Sequence, residues 1–599
     1  MKEFEYPFDA EDIIKRKKYY KKELLSNSNQ VFLEKKIAIL GGVTTNNIKL
    51  ILELFLLNYG IKPSFYESEY NQYYEDGMFP NDELERFAPD LIYICTSIRN
   101  IVDFPTLIDD AAVVNEKLSA VYNRFTALWT NLTEVYKCPI IQNNFEYPYF
   151  RLMGNKDASD IHGRVNFITR LNLNFYEYAQ THENFYICDI NYLSASFGLD
   201  KWSDPYYWHM YKYAAAVPAI PYLSYNVANI IKSVYGKNKK VLNLDMDNTL
   251  WGGIVGDDGA DNIEIGQETP LAQTYSEFQE YIRLHKQLGV ILTVNSKNEE
   301  ENALSGLRRP DSVLKEDDFV TIKANWNPKS QNLTETADEL NLLSESFVFV
   351  DDNPAERAII TAQIPGVAVP EIDSVEHYIQ ILDKSGFFEV TALSGDDLKR
   401  TEMYKENAKR SQLQAAFANY EDYLKSLEMK GEIQGFIPAY MSRIAQLTNK
   451  SNQFNLTTKR YNQSDIETVA CDPEYITLYG KLSDKFGDNG VVSIVIGKIG
   501  GEAKDELHME LWLMSCRVLK RDMEYAMMDE LVRKARNAGI RQILGYYYPT
   551  AKNGMVKDFY KLQGFEKIKE DDEGNTVWKY DIIENYENKN RVIEIVRDK

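Results

Sequence analysis

The sequence predicts a multidomain α/β protein, with two doubly wound modules in series followed by a module of α+β type. The chain has 599 residues, enough for about three to five domains of ordinary size. Apolar, strand-like runs alternate with amphipathic helical runs from residue 35, and this rhythm restarts at residue 239. After about residue 385, several strand-like runs follow one another, which is the order of a mostly antiparallel sheet.

The first module is predicted over residues 1–235. A charged helix starts near Asp9, and the buried strands are predicted at KKIAILGG from residue 35, at LIYICTS (91–97), near 138 and near 184. The uncharged stretch 213–231 contains Pro218 and Pro221, which a lipid-spanning helix would accommodate poorly. We therefore predict that this stretch is buried chain at a domain edge.

The second and third modules are predicted over residues 236–385 and 386–585. In the second module the buried runs are KKVLNLDMDNT (239–249), GVILTVNSK (289–297) and SFVFVDDNP (346–354). In the third, a charged helical passage leads into strands at EYITLYGKL, GDNGVVSIVIGKI and HMELWLMSCRVL. Residues 586–599 are predicted to be a polar, loosely held tail.

Composition excludes several classes of function. There are 90 acidic against 68 basic residues, a formal charge of −22, so nucleic acid and anionic membranes are not expected as main partners. The five cysteines include no C-x-x-C pair, which argues against a disulfide framework or a zinc cluster and favours a reducing, cytoplasmic location. The N-terminus also lacks the apolar core of a signal peptide.

The strongest chemical signal is a pair of acids at a strand end. Asp245 and Asp247 follow the buried run VLNL, so both are expected in the crevice where open α/β sheets bind ligands. Two carboxylates this close repel each other unless a cation holds them, and oxygen ligands without sulfur or histidine favour Mg²⁺. The alternative for this pattern alone is a helix N-cap with a turn aspartate.

Further polar residues close the neighbouring strands. Ser296 follows GVILTVN, Lys329 opens a helix, and Asp351 and Asp352 follow SFVFV. A doubly wound sheet would gather these groups at one edge. There, paired acids would bind a metal, a hydroxyl and an ammonium would bind a phosphoryl group, and one carboxylate would remain as a nucleophile.

These motifs resemble a known family. D-M-D-N-T, S-K-N, the downstream lysine and V-D-D-N are similar to the four motifs of the haloacid dehalogenase (HAD) phosphohydrolases, and the flanks L-W-G-G-I-V-G-D-D-G and D-D-N-P-A-E-R resemble the FkbH-like branch. The resemblance implies a nucleophilic Asp245, a general acid/base Asp247, phosphoryl clamps Ser296 and Lys329, and Mg²⁺ ligands. The predicted metal ligands are Asp245, Asp247, Asp351 and Asp352, and the predicted substrate-binding residues are Asn298, Asn295, Trp251 and Gly252. The short interval from Asp247 to Ser296 implies a minimal cap.

The third module resembles the GNAT-like acyltransferase portion of the same family, through T-N-K-S-N-Q-F-N-L-T-T-K-R-Y (448–461), F-G-D-N-G, W-L-M-S-C-R-V-L and P-T-A-K-N-G-M-V. The resemblance implies that Arg517 opens a coenzyme A loop. Here Lys520 and Asp522 replace the small residues of R-x-x-G-x-G, which argues against acetyl-CoA. Asn553 and Tyr560 fit the position of an acid for a leaving thiol, although a tyrosine there also suits helix packing.

The first module resembles the SGNH-hydrolase-like, flavodoxin-like region that precedes the HAD domain in some relatives. Its nucleophile elbow would read G-D-S, but this chain has Val43 at the serine position, and Asp204 and His209 do not have D-x-x-H spacing. We therefore expect a structural or carrier-docking role for this module, rather than residual catalysis by Thr44 or Thr45.

FkbH-like proteins are associated with 1,3-bisphosphoglycerate, from which a glyceryl group is loaded onto an acyl carrier protein. Where cysteine is expected before the motif serine, this chain has Asn295, which excludes a glyceryl-cysteine at that position. Direct attack by the carrier thiol ranks first, ahead of a relay through Cys516 or a different phosphorylated substrate in polysaccharide or natural-product assembly. A non-catalytic scaffold that binds the carrier through Lys450, Lys459 and Arg460 is the remaining alternative; those residues equally suit a solvated face.

Overall fold

The structure is a computed structural model that describes residues 1–26, 31–414, 417–583 and 586–596. The chain divides into two compact units, Met1–Val234 and Tyr235–Lys599.

The first unit is a parallel sheet with helices on its faces. Among the described residues the strand order is β2-β1-β3-β4-β5, and every pairing is parallel. Its elements are α1 (Ala10–Ser26), β1 (Leu33–Gly41), α2 (Asn46–Asn58), β2 (Ile61–Glu67), α3 (Tyr73–Met78), α4 (Asp82–Phe87), β3 (Leu91–Cys95), α5 (Ala111–Tyr136), β4 (Ile140–Asn143), α6 (Arg164–Thr181), β5 (Phe185–Cys188), α7 (Ile190–Phe197), α8 (Leu199–Trp202), α9 (Pro205–Tyr211) and α10 (Ile220–Val234).

Two local predictions for this unit are confirmed. The Asp9 carboxylate accepts hydrogen bonds from the backbone N–H groups of Glu11 (2.9 Å) and Asp12 (3.0 Å), so it caps the start of α1. The uncharged stretch 213–231 ends in α10, which is buried over most of its length. Within the described ranges, no helix is both long and apolar enough to cross a membrane.

The second unit begins with a small parallel sheet of order β8-β7-β6-β9. Residues 245–290, all of them described, hold only two helices between β6 and β7, so this interval contains no inserted cap domain. The elements are β6 (Val241–Leu244), α11 (Val255–Asp258), α12 (Pro270–Gln287), β7 (Ile291–Ser296), α13 (Glu300–Arg308), β8 (Thr321–Ala324), α14 (Lys329–Glu339), β9 (Phe347–Val350), α15 (Pro354–Gln363) and α16 (Val375–Lys384).

The rest of this unit is built on a mostly antiparallel sheet. Its main path is β16-β17-β15-β14-β13-β12-β10-β18, and β11 pairs with β14. The elements are α17 (Gly395–Leu398), α18 (Arg400–Gln414), α19 (Tyr420–Ser426), β10 (Met429–Gln434), α20 (Pro438–Lys450), β11 (Phe454–Asn455), α21 (Gln463–Cys471), β12 (Tyr475–Asp484), β13 (Gly487–Gly500), β14 (Glu506–Met514), α22 (Met523–Asn537), β15 (Gln542–Tyr547), α23 (Phe559–Leu562), β16 (Glu566–Glu570), β17 (Thr576–Asp581) and β18 (Ile593–Val596).

Strands β14 and β15 are parallel and diverge from each other along their length. They pair only from residues 506–508 to residues 542–544. Farther along, the chain just after β11 bridges them, because Leu456 N–H donates to the carbonyl of Trp512 (3.1 Å) and Leu456 C=O accepts from Tyr548 N–H (2.9 Å). The gap between the two strands is therefore filled by the protein's own backbone.

The predicted polar tail is wrong for residues 586–596. Strand β18 pairs in parallel with β10, with Ile593 opposite Met429. Ile593 is only 5% exposed, and the carboxylate of Asp529 accepts hydrogen bonds from the backbone N–H groups of Lys589 and Asn590. Burial of Ile593, with partial burial of Val592 and Ile595, outweighs the polar composition around them. Residues 584–585 and 597–599 lie outside the described ranges.

Candidate active site

The predicted acids meet at the carboxyl edge of the small parallel sheet. Asp245 follows the central strand β6 and Asp351 follows its neighbour β9, and Asp245 N–H donates to Val350 C=O at 2.9 Å. Side-chain oxygens of Asp245, Asp351 and Asp352 lie within 4.8 Å of one another. The topology brings them together because adjacent parallel strands end on the same side of a sheet.

Lys329 holds two of these carboxylates. It is the first residue of α14, and its Nζ lies 2.8 Å from Asp245 Oδ1 and 2.6 Å from Asp351 Oδ2. The lysine is 4% exposed and Asp351 is fully buried. Burial lowers the pKa of Lys329, but the two carboxylates outweigh it and raise that pKa above its usual range. The ammonium is therefore charged and fixed between the two acids.

The donor set fits a magnesium ion. Three carboxylates face a single ammonium, and burial, reinforced by Asp351 and opposed by Lys329, raises the pKa of Asp245 to about 7. This shift reflects mainly the cost of charging a buried carboxyl group, which a bound cation would offset. The group contains only carboxylate oxygens, which are hard ligands suited to Mg²⁺.

Asp247 is not a member of this group, which corrects its prediction as a metal ligand through its side chain. Its Oδ1 accepts hydrogen bonds from Trp251 Nε1 (2.9 Å) and Val255 N–H (3.0 Å), and its Oδ2 accepts one from Asn298 Nδ2 (2.9 Å). These three donors fix the carboxylate in one orientation. Burial raises its pKa, which suits a group that holds a proton for part of a reaction.

Three predicted substrate-binding residues make structural contacts, and their contact with a substrate stays a prediction. Trp251 is fully buried and donates to Asp247. Gly252 pairs by backbone hydrogen bonds with Glu264, and a Cβ there would lie 2.9 Å from the Tyr275 ring. Asn298 is buried and holds Asp247. Trp251 and Asn298 thus help to orient the Asp247 carboxylate.

The side chains of Asn295 and Ser296 have different surroundings, because successive residues of a strand face opposite sides of the sheet. Ser296 ends β7 at the carboxyl edge and is buried. The side chain of Asn295 is also buried, donates to Lys329 C=O (2.8 Å) and accepts from Asn332 Nδ2 (3.2 Å). Asn295 therefore positions the start of α14, and its prediction as a substrate-binding residue is wrong.

The sequence analysis missed Arg357 and Thr249. Arg357 Nη1 donates to the carbonyls of Asp351 and Asp352, both at 2.8 Å. Thr249 Oγ1 accepts from Asp352 N–H at 3.2 Å. Both groups fix the loop after β9. Arg357 belongs to the D-D-N-P-A-E-R flank, but no spacing rule reveals that its side chain turns back to the strand end.

The acyl-transfer candidates separate into two pairs. Cys516 is partly exposed, with Sγ 3.5 Å from Tyr404 Oη, and Arg517 is buried beside it. Asn553 is fully buried and donates to the carbonyls of Asn455 and Tyr548, while Tyr560 is 1% exposed and belongs to the apolar core. The burial of Asn553 and Tyr560 contradicts their prediction as acids for a leaving thiol.

The loop after β14 is held by side chains. Arg521 Nη1 lies 3.2 Å from Asp484 Oδ2, and Tyr420 donates to the carbonyl of Lys520. Lys520 and Asp522 both have positive φ, of 63° and 58°. Lys520 and Asp522 thus adopt the left-handed backbone conformation that glycine favours, although the loop differs from the glycine-containing pattern in sequence.

The predicted basic patch does not form a common exposed face. Lys459 pairs with Glu510 (3.1 Å), and Arg460 donates to Ser451 C=O (3.1 Å) near the end of α20. Lys450 pairs instead with Asp397 (3.5 Å). Each of the three cations is engaged with a different partner.

In the first unit, the residues at the predicted SGNH positions are a buried valine, an aspartate that caps a helix and an exposed histidine. Val43 is buried. Asp204 caps α9 by accepting from Tyr206 N–H (2.8 Å) and Tyr207 N–H (3.4 Å), and His209 is exposed on that helix.

The chain is similar to known proteins in both sequence and structure. Residues 36–232 match the family model described as FkbH, N-terminal domain. A crystal structure of the N-terminal part of BF1531 from Bacteroides fragilis, described as containing a phosphatase domain complexed with Mg, is 29% identical, covers 63% of this chain and 99% of its own, and has a TM-score of 0.58. The search of curated proteins gave no significant match.

Two acetyltransferase structures match at lower levels. The ribosomal-protein-S18-alanine N-acetyltransferase from Escherichia coli is 11% identical, covers 26% of this chain and 99% of its own, and has a TM-score of 0.20. The GNAT domain of S. lividans PAT is 14% identical, covers 25% of this chain and 89% of its own, and has a TM-score of 0.21. These scores are too low to support an inference about activity.

The family-model match, the BF1531 match and the sheet topologies confirm the predicted α/β multidomain fold class. They also confirm the resemblance to FkbH-like proteins and the prediction of an enzyme.

Proposed function

We propose that this FkbH-like chain is a Mg²⁺-dependent, HAD-type enzyme that removes phosphate from a phosphorylated acyl donor and transfers the acyl group to the thiol of an acyl carrier protein. The observation that carries the proposal is the cluster of Asp245, Asp351 and Asp352 oxygens within 4.8 Å, in which Lys329 binds Asp245 and Asp351. The Mg in the BF1531 phosphatase-domain structure gives further support. A cytoplasmic location belongs to the same proposal.

The residues of the site have distinct roles in phosphate removal. The Asp245 carboxylate attacks phosphorus, and the bond from phosphorus to the donor oxygen breaks, which leaves an aspartyl phosphate. Asp247 gives a proton to the leaving oxygen and then takes one from the water that hydrolyses the intermediate. Lys329 and Ser296 bind the phosphoryl oxygens. Mg²⁺ held by Asp245, Asp351 and Asp352 would neutralise charge on those oxygens.

The proposed donor, 1,3-bisphosphoglycerate, carries two phosphates with different chemistry. The ester phosphate suits removal at Asp245, whereas the acyl phosphate is already activated for transfer. A carrier thiolate attacks the acyl carbon, a C–S bond forms, and the C–O bond to phosphate breaks with release of inorganic phosphate. Because Asn295 cannot accept an acyl group, we favour direct attack by the carrier thiol.

Phosphate release tests the metal-dependent step. With 3-phosphoglycerate and freshly prepared 1,3-bisphosphoglycerate, we expect release with MgCl₂ above the rate of spontaneous hydrolysis measured without enzyme, and no release above that rate with EDTA. Asp245→Asn should lower the rate about 1,000-fold or more, because the nucleophile is lost. Asp247→Asn should lower it about 100-fold, with accumulation of phosphoenzyme. Full turnover by either variant, or Mg²⁺-independent turnover, would defeat the assignment.

Carrier loading tests the acyl-transfer step separately. Intact-protein mass spectrometry of the carrier should detect a glyceryl thioester after incubation with donor and enzyme. Cys516→Ala should leave loading unchanged if the carrier thiol attacks directly. Loss of loading with phosphate release preserved would indicate a relay through Cys516 instead.

Two alternatives have different signatures in the same assays. A phosphatase or phospho-acyl transferase of polysaccharide assembly would release phosphate but would not load a carrier. A non-catalytic, carrier-binding scaffold would release no phosphate, whether or not Asp245 is intact. The complete set of acids around Lys329 favours an enzyme over the scaffold.

A further inference from the structure

A second cleft lies at the opposite end of β6 from Asp245. Lys240 immediately precedes this strand and Asp245 immediately follows it, a separation of about 15 Å along an extended chain. Part of its wall comes from α20 and from residues 514–517, at the end of β14 and just after it. It is therefore separate from the acidic site.

The cleft is rich in positive charge although the chain is strongly acidic. Five cations line it: Lys240, Arg400, Arg443, Lys450 and Arg517. The lining contains two carboxylates. Asp397 is bound by Arg400 and Lys450, and Glu345 pairs with Lys552 at 2.6 Å. The cations thus outnumber the carboxylates, and both carboxylates are already engaged.

Burial makes this concentration of cations unfavourable without a ligand. Burial lowers the pKa of Lys450 to about 8; Asp397 opposes this shift, while Arg400, Arg443 and Lys240 add to it by repulsion. Burial also lowers the pKa of Lys240, with Arg400 contributing. Within the described part of the chain, Lys240 forms no ion pair, so its charge is compensated less than that of Lys450. A bound anion would relieve this repulsion.

The remaining wall is apolar and includes a thiol. Its apolar side chains are Leu342, Leu343, Leu447, Phe454 and Met514, and the partly exposed Cys516 lies beside them. A bare inorganic anion would use only the cations. A ligand with both an anionic group and a less polar portion would use the whole cleft.

We propose that this cleft is a second ligand site, which binds the phosphate group of an organic phosphate on its cations and the less polar portion of that ligand on its apolar wall. Two sources share this chemistry: a free phosphorylated metabolite and a phosphopantetheine arm. The site goes beyond the phosphate removal proposed above, because none of its lining residues belongs to the acidic site; with a phosphopantetheine ligand, it rests on the proposed transfer to a carrier.

Calorimetric titration of the full-length protein tests the site. The probes are two matched pairs, 4′-phosphopantetheine with pantetheine and 3-phosphoglycerate with glycerate. We expect at least one phosphorylated probe to bind about tenfold or more tightly than its dephosphorylated partner, because each charge-assisted contact to phosphate is lost with the phosphate. The pair that shows the difference identifies the source of the ligand.

Substitutions of the lining cations test whether the probe binds in the cleft. Arg443→Gln/Lys450→Gln should weaken the phosphorylated probe at least tenfold, whereas Lys430→Gln/Lys569→Gln, which removes two exposed lysines elsewhere in this unit, should not. Lys240→Gln is a second variant that breaks no ion pair among the described residues, in case the double variant is unstable. Asp245→Asn should retain binding in the cleft. The experiment therefore distinguishes failure of the phosphatase proposal from failure of the ligand-site proposal.

Alkylation of Cys516 provides an independent test of ligand binding in the cleft. The phosphorylated probe should slow its modification by iodoacetamide, measured by peptide mass spectrometry, while modification of the exposed Cys471 stays unchanged. The proposal is overturned if neither phosphorylated probe binds better than its partner. It is equally overturned if the Arg443/Lys450 and Lys240 variants bind the preferred probe as tightly as the wild type.

Discussion

At the scale of single residues, the site separates groups that react from groups that hold them. Asn298 was predicted to contact substrate, but it is buried and donates to Asp247 Oδ2 at 2.9 Å. A residue that only orients the acid/base affects the rate of the chemical step more than substrate binding. Asn298 is therefore expected to be a positioning residue.

Asn298→Ala tests this role. We expect kcat for phosphate release to fall about tenfold, because Asp247 loses one of its three orienting donors, with KM changed less than about twofold. Steady-state kinetics at saturating Mg²⁺ measure both constants. A large rise in KM at unchanged kcat would return Asn298 to the substrate-binding group.

Glu146 gives the first unit a specific dependence on pH. Its side chain is buried, and Oε2 accepts a hydrogen bond from Ile98 N–H at 3.2 Å. Burial raises its pKa from 4.5 to about 7. Since the folded pKa lies above the unfolded one, the folded state binds more protons between these values, and stability falls as pH rises through this window.

Glu146→Gln should remove this loss of stability. At pH 8 the variant should be more stable than the wild type by roughly 2–3 kcal/mol, whereas below pH 4.5 the difference should vanish. Amide hydrogen exchange in β3, measured across this pH range, reports the stability of the first unit. Equal pH dependence in both proteins would contradict the assignment to Glu146.

The sequence predicted reacting residues better than supporting ones. Asp245, Asp351 and Lys329 follow from the rule that parallel strands end at one edge, because this rule depends only on strand order. The roles of Trp251 and Asn295 depend on how the chain folds back after Asp247 and on which face of β7 is covered by α14. Local spacing does not carry that information, so the sequence analysis placed both residues on the substrate.

At the scale of elements, a buried charge network joins a helix, a hairpin and a loop. Asp484 ends β12 and is fully buried, and Arg410 of α18 binds both of its oxygens at 2.7 and 2.8 Å. Arg521 of the loop after β14 approaches the same carboxylate at 3.2 Å. Glu406 also approaches Arg410, at 3.5 Å, but Asp484 is the carboxylate that the two buried guanidinium groups share.

Asp484→Asn should destabilise this part of the protein by about 3 kcal/mol or more, because Arg521 would lose its carboxylate partner and Arg410 would keep only Glu406, at 3.5 Å. Hydrogen exchange should accelerate in peptides covering residues 400–410 and 517–522. Lys425→Gln, which breaks an exposed pair with Glu421, is the control and should have no measurable effect. Unchanged exchange in both peptides after Asp484→Asn would show that the network does not hold the loop.

Elements that depend on local rules were predicted, whereas elements that depend on contacts distant in sequence were not. The helix start at Asp9 follows from a local capping rule, and the structure confirms it. Strand β18 is only four residues long and lies in a polar segment, so its pairing with β10 depends on a distant sheet edge. The bridging of β14 and β15 by the segment around Leu456 likewise depends on contacts distant in sequence.

At the scale of the whole molecule, the sequence predicted modules in series, and the chain divides at Val234 and Tyr235, next to the predicted boundary after residue 235. The aromatic and aliphatic core of the first parallel sheet lies within residues 38–185, and the cores of the second unit begin at Val241. A unit with its own buried core is expected to fold by itself.

Separate expression of residues 1–234 and 235–599 tests this independence. Each product should show a cooperative thermal transition and protected amides in its own parallel sheet, because the strands that form each sheet lie within one product. Mg²⁺-dependent phosphate release should remain with residues 235–599 and disappear when Asp245→Asn is introduced, since every acid of the site and Lys329 lie in that product. If residues 235–599 fold but release phosphate only after residues 1–234 are added back, the first unit would have to take part in the reaction, contrary to the structural or docking role expected for it.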